Sequence, residues 1–73
     1  MMEVKVKGIY RHFKGDCYIV EDIGYNSETE EKVVIYRGLY EGARLWVRPY
    51  DNFIGKTKDN KPRFEYISVQ SKR

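Results

Sequence analysis

The chain has 73 residues, with 14 Lys and Arg against 11 Asp and Glu, a formal net charge of +3 and a pI near 9.0. That length holds one domain (1–73, ordered core about 8–69) close to the lower limit for an unaided core, so seven Tyr, three Phe and one Trp must supply the buried area. A single Cys excludes an internal disulfide, one Cys with one His excludes a zinc site, and no apolar run approaches the roughly 18 residues of a membrane span.

The first residues, M-M-E-V-K-V-K-G, alternate charge with valine instead of building a signal-peptide core, which predicts a cytoplasmic protein. Met2 to Val6 reads as a short strand or a frayed end. In Ile9 to Phe13, Ile9, Arg11 and Phe13 share one side and Tyr10 and His12 the other. Lys14-Gly15-Asp16 is a turn, and the chain returns as C-Y-I-V-E-D-I-G, with Cys17, Ile19 and Ile23 alternating against Tyr18, Val20 and Asp22. Gly24 to Glu31 is a polar, acidic loop. Ser27 and Glu30 have the spacing of a helix capping box, but the K-V-V-I-Y that follows is strand-forming.

Val33 to Phe53 reads as the central hairpin. Two runs rich in β-branched and aromatic residues flank Glu41-Gly42-Ala43-Arg44, and a two- or four-residue loop there sets Tyr40 opposite Leu45, Gly38 opposite Val47 and Tyr36 opposite Pro49. Val34, Tyr36, Gly38, Tyr40, Leu45 and Val47 then form a core face, and Arg37, Trp46 and Arg48 meet on the other. Tyr50 to Phe53 is one tight turn returning Phe53 to the core, Lys58 to Pro62 is a loop, and the last strand sets Phe64, Tyr66 and Ser68 against Glu65, Ile67 and Val69. Ser71 to Arg73 is expected to be disordered. The fold class is all-β: a small, strongly bent antiparallel sheet or SH3-like barrel of five or six strands, with little or no helix.

The words G-I-Y-R-H-F-K-G-D-C-Y, N-S-E-T, I-Y-R-G-L-Y, L-W-V-R-P and P-R-F, spread in this order over Gly8 to Phe64, resemble the bacterial domain-of-unknown-function family 1653. The resemblance implies a small cytoplasmic protein and assigns no activity. Asn26 stands where many members have His, and Asn52 where Met usually precedes the Phe, so a role carried by that His is not available to this chain.

Three groups of residues carry chemistry. Trp46 bordered by Arg37 and Arg48, with Tyr10 or Tyr50 nearby, forms an aromatic platform with guanidinium edges, suited to a base and its phosphate or to a peptide carboxylate; the competing reading is a minor core. His12 is the sole unperturbed base near neutral pH, with Cys17, Ser27, Asp16 and Glu28 as the partners it would need; the simpler reading is a packed ring bonded to backbone. Ser27, Glu28 and Thr29 with Glu30 and Glu31 offer hard oxygen ligands, but lack the spacing of a calcium loop and read as a solvated turn. Cys17 reads as a small strand residue facing the core.

The sequence therefore points to a non-enzymatic binding module, without cofactor or metal, using the Arg/Trp face for a protein partner. The alternatives are a weak, sequence-tolerant binder of single-stranded nucleic acid, and a small enzyme or ligand sensor using His12 and the Ser27 to Glu31 loop. No membrane partner is expected, and the chain reads as a monomer or a weak homodimer formed through a free strand edge.

Overall fold

The structure is a computed structural model that describes residues 3–69, so the expectation for Ser71 to Arg73 lies outside the described residues. Among the described residues five strands form, β1 (Gly8–His12), β2 (Cys17–Tyr25), β3 (Lys32–Gly38), β4 (Leu45–Pro49) and β5 (Phe64–Val69), together with one helical turn, α1 (Tyr50–Phe53). They make a single antiparallel sheet in the order β4-β3-β2-β1-β5. The sheet is open, with β4 and β5 as its edges, and does not close into a barrel. Residues 3–5 have no regular structure and Val6 enters a turn, so among the described residues the segment forms no strand.

Strands β1 to β4 follow each other as a meander because each linker is short and turn-forming. Gly15 supplies a φ of +115° between β1 and β2, where few residues with a Cβ are comfortable. After β4, Pro49 cannot continue the ladder, α1 turns the chain across the inner face, and β5 then pairs back with β1. Phe53 is fully buried, as the tight turn at Tyr50 to Phe53 required.

The core is aromatic. Tyr10, Val20, Val34, Tyr36, Phe53 and Phe64 are buried together with Val4. Phe53 and Phe64 stack with ring centres 4.0 Å apart and planes 8° from parallel, and Tyr10 and Tyr36 meet Phe53 edge-on at 5.3 and 5.4 Å. Each such ring removes about 150 to 250 Å² from water, which lets a sheet this small hold without disulfides.

Three irregularities redirect side chains that strict alternation would misplace. In β2 the pairing with β3 shifts between Val20 and Asp22, so Ile23 turns to the inner face opposite Val34 instead of staying with Cys17 and Ile19. A second shift between β1 and β5 puts Tyr66 opposite Tyr10 but Ser68 opposite Ile9, parting Ser68 from Phe64 and Tyr66.

The third is the central hairpin. Arg37 pairs with Leu45, Tyr36 with Trp46, Ile35 with Val47, Val34 with Arg48 and Val33 with Pro49. Trp46 thus lies three residues from its expected partner, Leu39, and an odd shift exchanges the faces of β4. The cause lies outside the hairpin. Leu39 N–H bonds to Cys17 O on β2 at 2.9 Å, and the Tyr40 ring lies over Gly38 where a Cβ would stand, 6.0 Å from the Tyr18 ring. The turn itself is where the glycine placed it: Ala43 N–H bonds to Tyr40 O at 3.1 Å and Gly42 has a φ of +77°.

Phe64→Ala should cost about 3 to 5 kcal/mol of unfolding free energy, whereas Phe64→Leu, which keeps most of the volume, should cost about 1 to 1.5 kcal/mol. Urea denaturation followed by circular dichroism measures both. Equal small losses would mean that the stack does not hold the sheet.

Candidate functional site

The face exchange in β4 decides the site. Trp46 and Arg48 lie on the inner face, beside Tyr36 and Val34, and Arg37 lies on the outer face. The expected trio is therefore divided. Arg37 Nε donates to Glu21 Oε2 at 3.0 Å, while Lys7 Nζ donates to Glu21 Oε1 at 3.0 Å. The Arg37 hydrogen bond, then that of Lys7, holds the Glu21 carboxyl below the usual carboxylate range. These are exposed ion pairs of modest worth.

On the inner face, Trp46 and Arg48 border a shallow depression of about 220 Å³. Its floor is Tyr18, Tyr36 and Phe64, and its far wall is His12, Lys14 and Asp16 from the end of β1 and its turn. Trp46 remains 41 % exposed, which separates it from the core it adjoins. Arg48 is held: Nε donates to the Tyr36 hydroxyl at 3.0 Å, Nη1 donates to Asn52 Oδ1 at 2.6 Å, and the guanidinium carbon lies 5.4 Å from the Phe64 ring centre. Two of its five donors are used in those bonds, so the cation is positioned before any ligand arrives. Arg44 lies over Trp46 at 5.6 Å.

His12 enters this site because β1 and β5 place it opposite Phe64, whose ring it meets edge-on at 4.9 Å. Its Nδ1 accepts the Lys14 backbone N–H at 3.2 Å, which requires that nitrogen to be unprotonated. Burial, then the charges of Arg48, Lys14 and Arg63, push its pKa below the usual histidine value, with Asp16 opposing. Tyr18, on the floor, has its hydroxyl pushed up to about 12, first by burial and then by the neighbouring Tyr40.

The other candidates lie elsewhere. Tyr10, one of two tyrosines expected as alternatives near Trp46, is in the core: it is 1 % exposed, its hydroxyl accepts the Lys5 N–H at 2.9 Å, and burial raises its pKa. Tyr50 accepts the Val4 N–H through its hydroxyl at 3.1 Å. Ser27, Glu28 and Thr29 form the exposed β2–β3 loop, at the opposite end of β2 from Tyr18. Asn26 shapes that loop, its Oδ1 accepting the N–H groups of Glu28 and Thr29 at 2.8 and 3.1 Å. No group of three or more His, Cys, Asp or Glu among the described residues is placed to hold a metal ion. Cys17 is half-buried on the outer face opposite Arg11, not in the core. No helix among the described residues is long and apolar enough to cross a membrane.

Sequence reasoning missed Lys14, Tyr18, Tyr36 and Phe64 as site residues. The period-two alternation that puts Tyr10 and His12 on one side of β1 was the available signal, since Tyr18 pairs with Tyr10 across the first turn.

An open antiparallel sheet with an aromatic floor and an ordered arginine at its mouth defines a small β domain with a shallow, positively charged site. A family model described as "Protein of unknown function (DUF1653)" matches residues 8–66. The chain belongs to the DUF1653 family. Its fold is similar to the crystal structure of a DUF1653 protein from Bordetella bronchiseptica, with 31% identity, a TM-score of 0.77 and 100% of each chain covered. No curated protein matches it.

Since burial and the neighbouring cations hold the His12 pKa below that of the unfolded chain, the unfolded state binds more protons as pH falls through about 6.5, and stability drops with it. Urea midpoints should fall between pH 7 and pH 5 in the native protein and fall less in His12→Gln, with Glu21 adding its own loss only at lower pH. Parallel curves would remove His12 as the cause.

Proposed function

We propose that this protein is a non-enzymatic binding module and that its site is the depression between Trp46, Arg48 and His12. One observation carries the reading: Trp46, unlike the rings below it, keeps 41 % of its surface in solvent while sharing the face of a buried aromatic core. An indole left half-dry on that face costs nothing if a partner completes its burial. The fixed Arg48 beside it adds a donor for an anionic group, and Lys14 a second charge.

Binding is favoured over catalysis by how His12 is used. A general base needs its lone pair free, and the Nδ1 lone pair is engaged by the Lys14 backbone. The depression is also shallow and small beside the pockets that enclose substrates. A free thiol at Cys17 accords with the reducing, cytoplasmic setting expected from the sequence. The chemistry the site would accept is an anion joined to an apolar or planar group, which an acidic protein segment and a single-stranded nucleic acid both present.

In isotope-labelled protein, the Trp46 indole N–H and the His12 ring signals should shift on addition of a hexaglutamate peptide or of oligo-dT. If both probes leave them unmoved at low salt, the depression is not a binding site. Trp46→Ala should lower stability by about 1 to 2 kcal/mol, short of the loss for a fully buried aromatic, and should abolish the shifts at His12.

A further inference from the structure

We propose that the molecule carries a second aromatic–cationic site, centred on Phe13, which continues the Trp46 depression into one track for single-stranded nucleic acid. The inference rests on the binding-module reading above and extends it to ligand class and path.

Phe13 is the residue at which β1 gives way to its turn, and it does not enter the core. It is 48 % exposed, although its backbone is fixed by an N–H bond to Arg63 O at 2.9 Å. Its ring stands 4.5 Å from the His12 ring, with Lys14 Nζ 5.8 Å from its centre. Depressions open on both sides of it. One, of about 350 Å³, is bordered by Arg11, Lys61 and Pro62, and the other, of about 610 Å³, by Lys14, Thr57, Lys58 and Arg63. His12 lines the first of these and also the Trp46 depression; Lys14 lines the second and also the Trp46 depression. The three hollows are therefore neighbours around one turn, with Phe13 exposed between two of them, Trp46 exposed at the third, and cations lining all three.

The lysines come from a shaped loop. Lys56 bridges to Pro62, Thr57 N–H bonds to Lys61 O at 2.8 Å, and Asn60 N–H bonds to Thr57 O at 2.9 Å, so Lys58 and Lys61 project from an ordered hairpin beside Phe13. Arg63 is held by bonds from Nε to Asn52 O at 3.2 Å and from Nη2 to Lys56 O at 3.4 Å. The acids lining these hollows are Asp16, Asp59 and Glu65, the last 3.8 Å from Arg11, and Glu41 stands in the β3–β4 loop at the same end of the sheet. Glu28, Glu30 and Glu31 lie in the β2–β3 loop, so the modest net charge of +3 conceals a basic end and an acidic one.

A polyanion is the complement of that end, and the two exposed rings choose among polyanions. A purely acidic peptide would satisfy the cations and leave the faces of Trp46 and Phe13 unused. A single strand offers a planar face and a phosphate in every unit, so it matches rings and cations alternately. A duplex keeps its base faces stacked on each other and cannot.

The test is fluorescence anisotropy with labelled 12-nucleotide oligo-dT and oligo-U, and with labelled hexaglutamate, at 50 and 200 mM NaCl. For three neutralised phosphates the single-strand salt slope predicts about a 20-fold loss of oligonucleotide affinity over that range. Phe13→Ala should weaken binding about 5- to 150-fold, as loss of one stacked base does, and Phe13→Leu, which keeps apolar bulk without a π face, should weaken it similarly. Lys58→Glu combined with Lys61→Glu should weaken it about tenfold or more and flatten the salt dependence. All these positions are exposed, and amide spectra confirm folding of each variant.

If oligonucleotide binding needs Trp46 but is indifferent to Phe13, Lys58 and Lys61, the Phe13 track is wrong and the Trp46 site stands. If hexaglutamate binds and oligonucleotides do not, the partner is an acidic protein segment and the nucleic-acid assignment falls. Absence of binding by all three probes at 50 mM NaCl overturns it as well.

Discussion

The inner face of this protein depends on the stack of Phe64 on Phe53. A five-stranded open sheet needs something laid across one face to exclude water, and here a single helical turn and the start of the last strand provide two parallel rings, 4.0 Å apart, over the tyrosines of β1 and β3. The stack joins residues eleven positions apart and ties α1 to the β5–β1 pairing. It adds a side-chain anchor to the ladder that pairs β5 with β1 outside the meander.

The same stack builds the candidate site. Phe64 meets both the His12 ring, edge to face, and the guanidinium of Arg48, so the floor of the depression is a core residue seen from its margin. Core and site are continuous, and rigidity of the site follows from burial of the core. Arg48 illustrates the consequence: bonded to Tyr36 and Asn52 and resting on Phe64, its charge is presented without the rotamer freedom that makes most surface arginines costly to recruit.

Charge follows the topology. The β2–β3 loop gathers Glu28, Glu30 and Glu31, while the β1–β2 turn and the loop before β5 gather lysines and arginines at the end that carries the depression. The outer face meanwhile settles its own charges, with Glu21 shared by Arg37 and Lys7. An arginine that sequence placed beside Trp46 is thus occupied on the far side of the sheet.

Local rules determined much of this molecule by themselves. Strand-forming runs, glycine turns and a proline that ends a ladder are read from residues near each other in the chain, and they placed β1 to β5, the turns at Gly15 and Gly42 and the return of Phe53 to the core. The words shared with the DUF1653 family were equally legible. Faces were decided by the tertiary structure wherever the ladder slipped: at the β2 bulge that turned Ile23 inward, and at the hairpin whose loop was drawn out as Leu39 bonded to β2 and Tyr40 packed on Gly38. Side chains alternate with period two, so a shift of one or three residues reverses every neighbour, and no pattern within β3 and β4 alone records a contact made with β2. That contact is why Trp46 and Arg48 meet His12 and Phe64, and why Arg37 does not.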